Sequence, residues 1–125
     1  MTSREVANRY CELMQQYKHT QIIEELYSAD IVNKEPEWAI VTGMPTITKG
    51  LDAVLGKAKA WMETIEEIHS DSYSDPIISD KFFSVAIVRD LTLKGKAHMT
   101  INEIGVFEVK DGKIILEQLF YWLIF

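Results

Sequence analysis

The hydrophobic period of the chain changes near residue 66, and this change constrains the fold more than any other feature. Before it, apolar residues recur at helical spacing, whereas after it they alternate as they do in strands. The pattern predicts two helices within 2–27 and a third after residue 50. Helices followed by antiparallel strands predict an α+β domain with three N-terminal helices on one face of a sheet. Strands are expected at 31–35, 67–74, 82–93, 97–109 and 113–125.

Local signals set the boundaries of these elements. Thr2 and Glu5 have the spacing of a capping box at the start of the first helix. The segment 28–30 is expected to turn the chain into the short strand 31–35, which Pro36 ends because proline has no N–H to donate. Residues 37–50 are expected to form a loop.

Composition limits the classes of partner. The 125 residues predict one domain over 1–125, and the net charge of −6 argues against binding to nucleic acid or to an anionic membrane surface. No apolar run reaches the ~20 residues that a membrane span needs, and the N-terminus does not resemble a secretory signal. Cys11 is the single cysteine, which excludes an internal disulfide. A cytoplasmic protein is therefore expected.

The last predicted strand is apolar on both of its faces. Leu119 and Tyr121 alternate with Phe120 and Trp122, and the pattern continues to residue 125. A sheet with one solvated face would show polar and apolar residues in alternation. We therefore expect one face to pack on the helices and the outer face to bind a second copy of the chain. The alternative is that the C-terminal residues wrap the edge of the helices.

Several stretches together resemble a known family. They are Leu26 to Pro36, Lys49 to Val54, Trp61, Glu67 to Ser70, Glu103 to Ile114 and Glu117 to Tyr121. In this order and spacing they resemble the SnoaL-like branch of the nuclear transport factor 2-like superfamily over nearly the whole chain. The resemblance implies a cone-shaped, cystatin-like roll with a pocket between the helices and a curved antiparallel sheet. The superfamily includes isomerases, polyketide cyclases, dehydratases and binding subunits, so the fold alone does not specify the function.

The ketosteroid isomerase of this superfamily suggests roles for three residues. Its catalytic base lies in a segment that Tyr27 to Pro36 matches without a gap, which places Glu35 at the base. The stretch from residue 101 to 107 matches the strand that carries its protonated acid, which places Glu103 there, and Tyr10 falls on its helix-one tyrosine. Both acids are Glu here where the isomerase has Asp, so the pocket geometry must differ.

Each of these residues also has a structural interpretation. Glu103 shares a predicted strand face with apolar residues, where a buried carboxyl either stays protonated or finds a cationic partner, for which Arg89 and Lys57 are candidates. Glu35 could be an exposed acid at a strand end. Tyr10 lies on an apolar helix stripe, where core packing is the usual role of a tyrosine.

Other residues are weaker candidates for the pocket. The resemblance implies a cavity-facing position for His69, although a lone histidine is more often on the surface. Asp90 could line the cavity or pair with a cation on the next strand, and Trp38 and Trp61 could form apolar walls or pack in the core. Met99 and Phe107 share the face of Glu103 and are expected to contact a ligand. The histidines lack metal-type spacing, so no metal is expected.

These observations lead to a functional hypothesis. The chain is expected to bind a small, mostly apolar carbonyl compound and, if it is an enzyme, to move a proton on it without a cofactor, as an isomerase or cyclase would. Glu35 would be the base, and Glu103 and Tyr10 would stabilise the oxyanion. The alternatives are a non-catalytic ligand-binding module and a structural dimer with a filled core.

Overall fold

The structure is a computed structural model of the chain, and it describes residues 1–122. The helices are α1 (Ser3–Gln15), α2 (His19–Leu26) and α3 (Leu51–Thr64), with a 3-10 helix at Glu37–Thr42. The strands are β1 (Tyr27–Lys34), β2 (Ile47–Lys49), β3 (Ile65–Tyr73), β4 (Ile77–Ser79), β5 (Phe82–Leu93), β6 (His98–Lys110) and β7 (Lys113–Tyr121). This is an α+β fold with N-terminal helices followed by a mostly antiparallel sheet, as the sequence predicts. The last predicted strand was expected to reach residue 125, and residues 123–125 lie outside the described part.

The sheet is mixed because β1 and β7 run parallel to each other. Its strands lie in the order β2-β1-β7-β6-β5-β3, and β4 pairs with β5. The parallel pair joins Asn33 to Glu117 and Lys34 to Gln118, whereas the other pairings are antiparallel. This pair links segments more than eighty residues apart, and local periodicity does not carry information on such a contact.

Two segments differ from the sequence-based expectation. The strand β1 begins at Tyr27, directly after α2, so the expected turn at 28–30 was wrong. Pairing with β7 extends the strand backwards, with an irregular register between Tyr27 and Val32. The expected loop 37–50 contains the 3-10 helix and β2, and β2 is held by antiparallel pairing with β1.

The core lies between α1, α2 and the inner face of the sheet. The capping box of Thr2 and Glu5 is present at the start of α1. Three aromatic rings form the centre of the core: Phe83 and Phe107 stack with ring centroids 4.6 Å apart, and Tyr10 lies 4.7 Å from Phe107. Other fully covered side chains of this core pack around them, among them Val6, Leu13, Leu26, Ile31, Val85 and Ile114.

The helix α3 packs more loosely than the other two, and Val54 is its buried residue. Its side chains are otherwise partly or fully exposed, although α1 and α2 bury a continuous apolar stripe. The space between α3 and the inner face of the sheet is therefore not filled by packed side chains.

The outer face of the sheet carries exposed apolar side chains from its three longest neighbouring strands. Ile104 and Phe120 are paired across β6 and β7, and each is about half exposed. The remaining members of this outer apolar face are Phe82, Val88 and Trp122. Within the described residues, the helices are all too short or too polar to cross a membrane.

Candidate functional site

A cavity of about 410 Å³ lies between the helices and the inner face of the sheet. Most of its wall is apolar, and both the helices and the sheet also contribute charged, amide and hydroxyl groups to it. The apolar wall includes Met14, Ile22, Ile23, Val54, Trp61, Ile87, Ile101 and Leu119, and the polar groups come from Tyr10, Asn33, Glu35, Lys57, Arg89, Glu103, Glu117 and Tyr121.

Glu35 is held by two partners at the end of β1. Lys57 of α3 donates from Nζ to Oε1 of Glu35 at 2.8 Å, and the hydroxyl of Tyr121 donates to Oε2 at 2.7 Å. The side chain of Glu35 is 6% exposed and that of Lys57 is 22% exposed, so the carboxylate of this ion pair is largely removed from solvent. A carboxylate has about four lone-pair positions, so two hydrogen bonds leave acceptor capacity for a ligand proton.

The ion pair continues into a chain of hydrogen bonds along β1 and β7. Lys57 also donates from Nζ to Oδ1 of Asn33 at 2.7 Å, and Nδ2 of Asn33 donates to Oε1 of Glu117 at 2.7 Å. Asn33 is buried, and both ends of its amide are satisfied. The parallel register places Asn33 beside Glu117, so this polar chain depends directly on the pairing of β1 with β7.

Glu117 was not singled out from the sequence. It lies on the inner face of β7 together with Leu119 and Tyr121, and burial raises its carboxyl pKa to about 7. The signal was present, because residues 117, 119 and 121 have the same strand parity. Because both faces of this segment are apolar, its pattern favoured a subunit interface over an acid that lines a cavity.

Glu103 lies at the cavity, paired across the sheet with Tyr121. Burial raises its pKa, the positive charge of Arg89 opposes that rise, and the charge of Glu35 adds to it. Lys57, considered above as a partner of Glu103, is instead bound to Glu35. The cavity therefore contains one ion-paired carboxylate and two acids for which burial favours the neutral form.

Tyr10 lies where the aromatic core meets the cavity. Its ring packs against Phe83 and Phe107, and it also forms part of the cavity wall. Burial raises the pKa of its hydroxyl well above the usual value, and the charge of Glu117 adds to this effect. The hydroxyl therefore stays protonated and is available as a hydrogen-bond donor.

His69 and Asp90 lie on the outer face of the sheet and do not line the cavity. The nitrogen Nε2 of His69 is 2.8 Å from Oγ1 of Thr92, and Asp90 forms a hydrogen bond with His98. Asp90 does share a strand face with Phe82 and Val88, but the buried residues of β5 have the opposite parity. Their burial makes the opposite face the inner one, so the expected cavity contacts of His69 and Asp90 are corrected.

Of the expected apolar ligand contacts, Trp61 lines the cavity. Phe107 is fully buried in the aromatic core, and Met99 packs with Leu91 and Ile101 beside the cavity. Trp38 lies outside the cavity, where its Nε1 donates to the carbonyl oxygen of Tyr121 at 3.0 Å. Among residues 1–122, His, Cys, Asp and Glu side chains do not cluster in a way that could hold a metal ion.

The chain is similar to one family of known proteins along nearly its whole length. The description of that family is SnoaL-like domain, and its model matches residues 1–121. A comparison with curated protein sequences finds no match.

Solved structures show the same fold. A protein from Mesorhizobium loti, named for its likeness to SnoaL-like polyketide cyclases, is 29% identical, with a TM-score of 0.88 over 97% of this chain and 100% of that one. A protein with a cystatin-like fold from Xanthomonas campestris is 17% identical, with a TM-score of 0.78 over 97% and 91% of the two chains. A protein with a ketosteroid isomerase-like fold from Catenulispora acidiphila, in complex with trimethylamine, is 16% identical, with a TM-score of 0.68 over 83% and 75%.

Proposed function

The chain belongs to the SnoaL-like domain family, and on that premise we propose that it binds a small, mostly apolar carbonyl compound and moves a proton on it without a cofactor. One observation carries the proposal. Carboxyl groups in two different electrostatic environments face the same apolar cavity, because Glu35 is ion-paired to Lys57 while burial raises the pKa of Glu103 and Glu117. When neighbouring carboxyl groups lie in environments that favour different protonation states, one can act as the acid and another as the base.

Each role follows from the environment of the group. Glu35 is the base, since it carries a charge and retains acceptor capacity; it takes the proton from a carbon next to the ligand carbonyl. The electron pair of that C–H bond moves to the carbonyl oxygen and gives an enolate. Glu103, in its neutral form, and Tyr10 donate hydrogen bonds to that oxygen. Glu35 then returns the proton to carbon, so no external oxidant or reductant is consumed.

Hydrogen exchange tests this function without knowledge of the natural substrate. We expect the protein to catalyse exchange of the α-hydrogens of 2-tetralone, an apolar ketone, in D₂O, as followed by proton NMR. Glu35→Gln should slow the catalysed exchange about a hundredfold or more, because general-base catalysis contributes roughly 10²–10⁴. Glu24→Gln is the matched control, since Glu24 is an exposed residue of α2. Exchange at the background rate, or an unchanged rate in Glu35→Gln, would contradict the proposal.

A non-catalytic binding module is the second candidate. The observation that favours it is that both oxygens of Glu35 already accept hydrogen bonds, from Lys57 and from Tyr121. In that case 2-tetralone would bind in the cavity and quench the fluorescence of Trp61, but its hydrogens would exchange at the background rate.

We also propose that the protein forms a homodimer through the outer apolar face of Phe82, Val88, Ile104, Phe120 and Trp122. Phe82, Val88, Ile104 and Phe120 lie on the adjacent strands β5, β6 and β7, and Trp122 follows the end of β7. Exposed apolar surface of this kind is a common mark of a protein interface. The expected partner is a second copy of this chain, because in a two-fold symmetric dimer the same surface patch of each subunit packs against its counterpart.

A further inference from the structure

The guanidinium of Arg89 lies at the cavity without a counter-charge bound to it. Arg89 is on the inner face of β5 and contributes to the cavity wall. Its Nε is buried and has no hydrogen-bond partner among residues 1–122. The ion pairs between described residues do not include Arg89. A buried N–H of a guanidinium normally has a bonded partner, because leaving such a donor unsatisfied is costly.

We propose that Arg89 binds a carboxylate of the ligand, so that the compound accepted by the cavity is an apolar carbonyl compound bearing one carboxylate. This inference rests on the proposed ligand-binding function of the cavity and narrows its substrate class. The planar guanidinium matches a carboxylate with two parallel N–H···O hydrogen bonds.

Of the Lys and Arg side chains in the described cavity wall, Lys57 has an ion pair and Arg89 has none. Lys57 is neutralised by its ion pair with Glu35. Burial raises the pKa of Glu103 and of Glu117, which favours their neutral forms. Tyr10 of α1, His19 of α2 and Tyr73 of β3 also lie near Arg89, and burial raises the pKa of both tyrosines and lowers that of His19 to about 4. The two tyrosines and His19 are therefore neutral at pH 6. Asp71 of β3 is an acid that lies directly across the strand pair from Arg89.

A single carboxylate fits this site better than a phosphate group. A phosphate would bring close to two negative charges to a site with one uncompensated cation. The second charge would lie in an apolar cavity that already contains the Glu35 carboxylate. An unpaired charge in such surroundings is strongly unfavourable. The remainder of the ligand would contact the apolar wall around Trp61 and Ile101.

Asp71 is the internal competitor for Arg89. The two residues are paired across β3 and β5, and Oδ2 of Asp71 accepts a hydrogen bond from the hydroxyl of Tyr73 at 2.7 Å. Its Oδ1 is buried and has no partner in the described part of the chain. A ligand carboxylate and Asp71 would therefore act on the same guanidinium, and neutralising Asp71 should strengthen binding of an anionic ligand.

Two probes that differ in a single group test the inference. We would measure the affinities of 2-naphthoate and 2-naphthamide by calorimetry at pH 6, where the naphthoate is ionised. We expect the wild-type protein to bind naphthoate about tenfold or more tightly than naphthamide, since hydrogen bonds to charged groups contribute about that much. Arg89→Met should remove this preference and keep the naphthamide affinity within about threefold, because the side-chain stem remains.

Further variants keep the test decisive. Arg4→Met removes an exposed cation of α1 and should retain the preference, which controls for net charge. Asp71→Asn should increase the naphthoate affinity. Binding of naphthamide to Arg89→Met would show that the cavity is intact in this variant. If Arg89→Met does not fold, the same measurements are made on Arg89→Gln.

The outcomes separate this inference from the function on which it rests. Equal binding of both probes by the wild-type protein, or a preference that survives in Arg89→Met and Arg89→Gln, overturns the role of Arg89 but leaves the cavity as a binding site. If neither probe binds, the proposed ligand-binding function is overturned, and the inference with it.

Discussion

The carboxyl of Glu117 couples protonation to folding at the scale of a single residue. Burial raises its pKa from 4.5 to about 7, so between these values the folded protein binds a proton that the unfolded chain releases. The contribution of Glu117 to the free energy of unfolding is therefore fully present below about pH 4.5. It is lost as the pH rises through about 7, where the folded protein releases the proton. Asn33 of β1 donates a hydrogen bond to this carboxyl, and the charge of Glu117 acts in turn on Tyr10 of α1.

Glu117→Gln should change the pH dependence of stability. The amide cannot ionise, and its oxygen can still accept the hydrogen bond from Asn33. We expect the variant to gain stability relative to wild type by about 1–3 kcal/mol between pH 5.5 and pH 8, since one pKa unit corresponds to ~1.4 kcal/mol. Urea unfolding followed by circular dichroism at both pH values measures this difference.

The difference in the free energy of unfolding between variant and wild type at each pH does not include the contributions of the other titrating groups, because both proteins share them. His19 is one of them, because its lowered pKa makes stability rise with pH between about 4 and 6.5. Glu24→Gln should leave the pH dependence unchanged. A difference between Glu117→Gln and wild type that is the same at pH 5.5 and 8 would mean that Glu117 is charged when folded at both.

At the scale of an element, Gly105 allows β6 to carry an aromatic ring directly over its own backbone. A Cβ at this position would lie 2.8 Å from two ring atoms of Phe107, closer than real contacts allow. That ring is fully buried and stacks on Phe83, so it has little room to move. The constraint here is the space above the strand and not the backbone conformation.

Gly105→Ala should therefore lower the free energy of unfolding by about 1–3 kcal/mol, which is the usual cost of overpacking a core. Gly56→Ala is the matched control, because a Cβ at Gly56 in α3 would meet nothing within 4 Å. It should instead raise the stability by about 0.5–1 kcal/mol, since alanine favours a helix over glycine. Chemical denaturation of both variants measures the effects, and a Gly105→Ala protein as stable as wild type would show that Phe107 can move.

At the scale of the whole molecule, the outer apolar face determines the expected assembly. We expect a dimer in sedimentation velocity at micromolar concentration and at least a tenfold weaker dimer for Phe120→Glu, because the interface would bury an unpaired charge. Trp122→Glu should act in the same direction, although Trp122 also contacts Trp38. Val41→Glu changes an apolar residue of the 3-10 helix that is 83% exposed and is not part of the outer apolar face, and it should not alter the dimer. A wild-type monomer of 14.4 kDa would contradict the homodimer.

The sequence by itself determined the main helices and strands and several members of the site. The change of period predicted three helices followed by the strands β3, β5, β6 and β7, because the spacing of apolar residues follows directly from helix and strand geometry. The expected positions of Glu35, Glu103, Tyr10 and Trp61 agree with the cavity wall. Their catalytic and binding roles stay predictions.

Only the tertiary structure decided which of these side chains meet. The pairing of β1 with β7 joins Asn33 to Glu117, and the position of α3 brings Lys57 to Glu35. The position of Arg89 was also decided there: periodicity shows that Asp90 and Arg89 point in opposite directions, and the odd-numbered positions of β5 are the more apolar set, but a charged residue on that set does not by itself indicate a cavity beside it. Parity is a local property of a strand, whereas its inside and outside depend on what packs against it, and for that reason Arg89 lies at the cavity while Asp90 does not.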